Sequence, residues 1–360
     1  MKICVYTICK NEEKNAFRWL QSAQEADAIY VSDTGSTDRT VEILEQNPKV
    51  HLIHGKYTGE NFRFDYARNE VLDMIPEDMN LCVMLDFDCL FNAGWRVLLE
   101  QYLEKEYNWK DNLDNMVALL DCKMLDLQEL NRQNEGLAWT RRFLGFSFIK
   151  GARYIRAVHE DLYIPDTDLS YLEIPESVCL MIHDPDIGKN DRKLNQYLGL
   201  SVLDFEEFPT YQAAVILLGE LWGDPRMTSY QGKDRFEFSL EVLNKVLSIP
   251  ISEQNQMWYK YHNNFTLYQN ATPDSPLECL IIYYSLITMV HESSEYLETQ
   301  IKEVYKNLKG FSKQLDSYLY MVYQNLLHFL KMSSPEFLKL WDPEIRDIFR
   351  RLMGTIQKRV

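Results

Sequence analysis

The sequence predicts an α/β protein: a mostly parallel sheet with helices on both faces in the first half, followed by an all-α second half. Three observations predict it. Compact apolar runs rich in β-branched residues alternate with amphipathic segments through the first 85 residues. Short polar clusters close those runs. Beyond Lys189 the apolar periodicity lengthens and becomes helical. The expected division is a domain at 1–189 and a helical domain at 190–360.

Ile3 to Ile8 is a run suited to a strand buried on both faces, and it stops at Lys10-Asn11-Glu12. Ala16, Trp19, Leu20 and Ala23 then fall at helical spacing. Ala28 to Val31 predicts a second strand. It ends in Asp33-Thr34-Gly35-Ser36-Thr37-Asp38, where Gly35 permits a tight turn and Ser36 or Thr37 can cap the next helix. That helix carries Val41 and Leu44 and stops before Pro48; Val50 to Ile53 is a third strand. Phe64, Ala67, Val71 and Met74 mark one face of a third helix. Leu81 to Leu85 is a fourth strand that runs directly into Asp86-Phe87-Asp88. Residues 90–185 read as mixed structure, with strands at Val117 to Leu120, Trp139 to Phe148 and Val178 to Ile182. The segment from Asn195 to Leu247, broken at Pro209 and Gly223, resembles a degenerate helix-hairpin repeat.

Alternating strands and helices with short links imply a parallel sheet, and such sheets bind ligands outside the carboxyl ends of their strands. Three polar clusters fall at those ends: Thr7 to Glu12, Asp33 to Asp38, and Asp86 to Asp88. Asp86 and Asp88 are two residues apart, so in extended chain they face one side and can converge on a hard cation. A strand-end turn with solvated or capping aspartates is the competing reading. Asp33 can accept a hydrogen bond from a base or ribose, or serve only as a turn residue. Phe87 is expected to point away into the packing of the sheet.

Composition sets the limits. The 360 residues are 46% apolar and 26% charged, enough for a sizeable core in two domains. A formal net charge of −16 disfavours non-specific binding to nucleic acid or anionic lipid. The seven cysteines show no zinc-like spacing and sit mostly in apolar runs, as buried thiols in a reducing compartment do. The start of the chain lacks the pattern of a signal peptide, and no run approaches about 18 uninterrupted apolar residues. Ile281 to Ile287 reads as a buried helix of a soluble protein. The expected location is cytoplasmic.

Four motifs in this order resemble family 2 glycosyltransferases. Ile3 to Glu13 looks like the family's opening strand and turn. Asp33 to Thr40 resembles its second-strand signature. Asn61 to Asn69 is similar to its Ala-Arg-Asn segment, and Asp86-Phe87-Asp88 matches its Asp-x-Asp metal motif. The similarity spans roughly one domain. Its closest flavour is the subgroup with peptide S-glycosyltransferases of the bacteriocin-modifying type, which also append a helical, repeat-like region.

The resemblance implies a GT-A fold (Rossmann-like) and inverting transfer of a hexose or N-acetylhexosamine from a nucleotide-sugar, a UDP-sugar foremost. The acceptor hydroxyl or thiol would belong to a peptide, glycan or small molecule. Thr7, Glu12 and Asp33 would contact the nucleoside, and Arg68 would lie near the base or phosphates. Asp86 would sit by ribose or metal, and Asp88 would ligate Mn²⁺ or Mg²⁺, which stabilises the departing diphosphate. In Arg156-Ala157-Val158-His159-Glu160, Glu160 or His159 suits the base that deprotonates the acceptor, with Asp161 a further competitor. His183, at a strand end, is a candidate metal ligand. A structural contact competes in both cases. Arg141-Arg142 can pair with phosphates or form a salt-bridged structural pair. Trp95 can line a sugar pocket or belong to the core, the reading preferred here. The helical half leaves homodimerisation open. Arg346, Arg350 and Arg351 look like a solvated helix face.

Two other functions compete. A nucleotidyltransferase also uses carboxylates and Mg²⁺, but the Cys9-Lys10-Asn11-Glu12 turn lacks the glycines such enzymes place after the first strand. A non-catalytic nucleotide-sugar-binding or scaffolding protein would have no need of both aspartates.

Overall fold

The computed structural model describes residues 1–109, 117–131, 138–148, 150–164, 169–185, 190–223, 227, 229–247 and 249. The chain divides into two compact units, Met1–Lys189 and Asn190–Val360.

The first unit is built on one sheet. Its strands are β1 (Ile3–Cys9), β2 (Ala28–Asp33), β3 (Val50–His54), β4 (Leu81–Met84), β5 (Cys89–Phe91), β6 (Val117–Asp126) and β7 (Trp139–Ser147), then β10 (Leu169–Ile174) and β11 (Leu180–His183). A separate hairpin pairs β8 (Arg153–Ile155) with β9 (Asp161–Tyr163). The sheet order is β3-β2-β1-β4-β7-β6-β11-β5, with β10 also on β6. The first four strands are parallel. The antiparallel β7 then separates β4 from β6, and β10 and β11 lie in tandem along β6, parallel to it. This mixed, mostly parallel arrangement fits the expected GT-A fold.

The local reasons match the sequence. β1 and β2 are buried on both faces, as central parallel strands must be. Helix α1 (Glu13–Ala23) buries Ala16, Trp19, Leu20 and Ala23. Helix α2 (Thr40–Glu45) buries Leu44, and α3 (Phe64–Leu72) buries Ala67, Val71 and Leu72. Helix α4 (Trp95–Tyr107) buries Trp95, Leu99 and Leu103. β7 can insert beside β4 only because residue 145 is glycine. A Cβ there would stand 2.2 Å from the Cys82 carbonyl oxygen. Six cysteines of the described residues are free and buried. No helix among the described residues is long and apolar enough to cross a membrane.

Two expectations change in detail, and three strands are new. Neither Ser36 nor Thr37 caps α2: the Asp38 carboxylate accepts the Thr40 amide at 3.0 Å and does that work. The predicted strand at Val117 to Leu120 extends to Asp126. β5, β8 and β9, of three residues each, are too short to show periodicity.

In the second unit, helices Asn190–Glu207 and Tyr211–Gly223 are followed by a hairpin of Ser229–Tyr230 with Lys233–Asp234, then by helix Arg235–Leu247. Gln231 and Gly232 make the hairpin turn in the left-handed region, at φ 50° and 79°. This unit is therefore not purely helical in its described part. The readings at Ile281 to Ile287 and at Arg346, Arg350 and Arg351 lie outside the described residues.

Candidate active site

The loops after β1 and β2 are stitched together. Asn11, in the left-handed region at φ 56°, donates its amide to Ser36 Oγ at 2.9 Å. Its own Oδ1 accepts the Thr37 amide at 2.7 Å. The Glu12 amide donates to Thr40 Oγ1 at 2.7 Å, and Glu12 Oε2 accepts from Asn15 Nδ2 at 2.9 Å. Asp33 is buried, and its carboxylate accepts the Ser36 amide at 3.0 Å. Gly35, at φ 101°, supplies the left-handed turn between them. Glu12 and Asp33 thus share one rigid shelf at the ends of neighbouring strands.

After β4 the chain turns sharply. The Cys89 amide donates to the Asp86 carbonyl at 2.9 Å, closing a turn over Asp86-Phe87-Asp88-Cys89. Phe87 is buried and stacks on Trp19, with ring centroids 4.2 Å apart at 15°. The same Trp19 donates its ring N–H to the Leu85 carbonyl at 3.0 Å. Anchoring Phe87 inward, as expected, leaves both aspartates on the partly exposed side of the turn.

Arg68 joins three of the anticipated residues. Thr7 Oγ1 lies 3.3 Å from Asp86 Oδ1, to which it donates, and Arg68 Nη2 donates to the same oxygen at 3.1 Å. Arg68 Nε donates to Glu160 in a close ion pair. Burial opposes a charge on Arg68, but Asp86 and Glu160 outweigh it and hold the guanidinium firmly protonated. Its remaining nitrogen, Nη1, is buried and without a hydrogen-bond partner. An orphaned cationic donor beside a carboxylate at a strand end fits an anionic ligand group.

His183 sits across from the turn. Its Nδ1 is 2.9 Å from Asp126 Oδ2, and its Nε2 is 3.5 Å from Asp88 Oδ2. The contact with Asp88 raises the His183 pKa most; burial opposes it and Asp126 adds to it. A carboxylate behind one ring nitrogen fixes the other toward a ligand, the usual arrangement for a metal-bound histidine. Donor atoms of Asp88, Cys89 and His183 lie within 4.8 Å of one another. Carboxylate, imidazole and thiol are all ligands of divalent first-row ions, so these residues fit a metal. Asp86 is outside that group and turns to Thr7 and Arg68.

Sequence reasoning missed Asp126 and Cys89. Asp126 ends β6 beside the carboxyl end of β11, a pairing no local pattern reveals. Other anticipated residues stand apart. His159 is exposed in the left-handed region at φ 50°. Asp161 is buried and pairs with Arg156 at 3.3 Å. Trp95 is fully buried and donates its ring N–H to the Ser22 carbonyl at 3.0 Å, so it belongs to the core. Arg141 grips the buried Asp121 through two hydrogen bonds of 2.9 and 2.7 Å, while Arg142 is exposed.

Sheet and site together define an α/β protein whose ligand-ready residues gather at the carboxyl ends of parallel strands. Residues 4–108 match the family model for glycosyl transferase family 2. Among solved structures, the chain is similar to the mannosyltransferase PcManGT from Pyrobaculum calidifontis in complex with GDP-Man and Mn²⁺. The identity is 14% over 92% of this chain and 88% of that one, with a TM-score of 0.36, too low to transfer fold or function. No curated protein matches the chain. The family match lies wholly within the first unit, over β1 to α4.

Proposed function

We propose that the first unit is a metal-dependent glycosyltransferase that moves a sugar, with inversion, from a UDP-sugar to an acceptor hydroxyl or thiol. The observation that carries this reading is His183, braced by Asp126 and aimed at Asp88, while the other aspartate of the turn, Asp86, pairs with a buried arginine that keeps one nitrogen unsatisfied. The motif match over residues 4–108 supports the donor class.

Asp88 and His183 would hold the divalent ion, Mn²⁺ or Mg²⁺. When bound, the ion supplies Lewis-acid stabilisation of the diphosphate. Arg68 Nη1 would offer a further positive donor to the same group, and Asp86 would face the ribose. Thr7, Glu12 and Asp33 frame the nucleoside. Glu160 is the base favoured over His159, because Arg68 tethers it and orients its carboxylate while His159 faces solvent. Its free oxygen would take the acceptor proton.

A panel of UDP- and GDP-sugars, each with Mn²⁺ or Mg²⁺, tests the reading by thermal stabilisation and donor hydrolysis. A UDP-sugar should raise the melting temperature most, and only with metal. Asp88→Ala should remove that stabilisation and the hydrolysis while leaving the fold intact. Full turnover in Asp88→Ala, or after stringent chelation, would sink the metal-dependent mechanism.

A further inference from the structure

The turn that carries the two aspartates also delivers a softer ligand. Cys89 opens β5 and lies directly opposite His183 in the antiparallel pair of β5 with β11. Directly opposed residues share a face of the sheet, so thiol and imidazole project the same way. Asp88 Oδ1 is 3.7 Å from Cys89 Sγ, and Asp88 Oδ2 is 3.5 Å from His183 Nε2. All three donors lie within 4.8 Å of one another.

These separations suit a common ion. A tetrahedral site holds nitrogen and oxygen at roughly 2.0–2.1 Å and thiolate sulfur at about 2.3 Å, which sets donor-to-donor edges of roughly 3.3–3.6 Å. The Asp88 carboxylate already stands near such edges from both partners, through Oδ1 toward sulfur and Oδ2 toward nitrogen. Asp126 fixes the ring of His183 from behind. Three protein ligands also leave a position open for an exogenous oxygen, as catalytic sites require.

We propose that Cys89 is a third protein ligand of the divalent ion. Of the two ions in that reading, the resulting Asp88–Cys89–His183 set would favour Mn²⁺ over Mg²⁺, and it would take the thiolate-accepting ions Co²⁺ and Zn²⁺ more tightly still. Hard Mg²⁺ takes oxygen donors, whereas thiolate selects softer first-row ions. On ligation the thiol proton leaves to solvent and a sulfur lone pair enters the coordination sphere. This rests on the metal-site reading of the proposed function.

The full chain, stripped of metal, is titrated with Co²⁺ and followed by absorption. The expected spectrum has visible ligand-field bands and a near-ultraviolet thiolate-to-cobalt charge-transfer band. Cys89→Ser should keep the visible bands, lose the charge-transfer band and bind Co²⁺ at least about tenfold more weakly. Visible bands without charge transfer in the unaltered protein would exclude Cys89 and leave the Asp88–His183 site standing. Charge transfer that survives in Cys89→Ser would assign another thiol and overturn the proposal. No Co²⁺ spectrum at all would overturn the metal site itself. If Cys89→Ser fails to fold, zinc-edge X-ray absorption on the unaltered protein decides. One sulfur at about 2.3 Å supports the ligand, and a shell of nitrogen and oxygen alone rejects it.

Discussion

At Arg68 a guanidinium is buried between two carboxylates and still keeps one nitrogen unsatisfied. Removing it strands Asp86 and Glu160 against each other and leaves Glu160 without its counter-ion. Breaking a buried pair from one side costs about 3–5 kcal/mol. Asp86 still reaches water, so Arg68→Met should lose about 3 kcal/mol, the lower end of that range, in urea unfolding. His183 gives a prediction of the opposite kind, in pH. Its pKa is raised by Asp88 and Asp126, so the protonated ring stabilises the metal-free fold at acid pH. That contribution is complete below the ordinary histidine value and fades as pH rises through the raised one. A metal must displace the same proton. Metal affinity measured by calorimetry should therefore climb as pH rises through the His183 transition, and the climb should become shallower in His183→Ala, where only the thiol proton of Cys89 is left to displace.

The element that organises the site is α3. It is bonded to the β8–β9 hairpin region at three levels. The Phe64 amide donates to the Ala157 carbonyl at 3.0 Å, and Arg68 holds Glu160. Asn69 completes the set: its Nδ2 donates to the Tyr154 carbonyl at 2.9 Å and its Oδ1 accepts the Tyr154 amide at 2.8 Å. An asparagine amide thus pairs with β8 as a neighbouring strand would. Tyr154 returns the support by hydrogen bonding to the buried Tyr6 of β1, oxygen to oxygen at 2.6 Å. The Ala-Arg-Asn segment therefore has separable tasks: Ala67 packs, Arg68 links the charges and Asn69 docks the hairpin. Asn69→Ala leaves a backbone donor and acceptor without partners and should cost about 1–3 kcal/mol. Hydrogen exchange should show the loss of protection concentrated in residues 153–163, with β1 and β2 unchanged. Uniform deprotection would mean that Asn69 supports the whole fold rather than the hairpin.

Across the whole molecule, the formal net charge of −16 opposes an anionic donor of the kind proposed. Under that proposal, Arg68 and a metal at Asp88 and His183 would supply the local positive charge that overcomes this field. The same acidity should prevent binding to duplex DNA at about 0.15 M salt, because no counterion release would drive it. Fluorescence anisotropy with a labelled duplex checks this, and micromolar affinity would refute it.

By itself the sequence determined the strand and helix order through residue 85, the three polar clusters, the buried Phe87 and the strand-end pair Asp86 and Asp88, while Thr7, Arg68, Glu160 and His183 became candidates through the resemblance to a known family. Those features are local: burial on both faces, helical spacing and strand-end carboxylates are written within a few residues. Only the tertiary structure decided which candidates meet. Arg68 reaches Glu160 across 92 residues and His183 reaches Asp126 across 57. It also separated the two aspartates, giving Asp86 to Arg68 and Asp88 to His183, and it brought Cys89 opposite His183. Strand register sets the meetings of His183, and docking of α3 on the hairpin sets that of Arg68; both depend on contacts between distant segments that periodicity along one segment cannot encode.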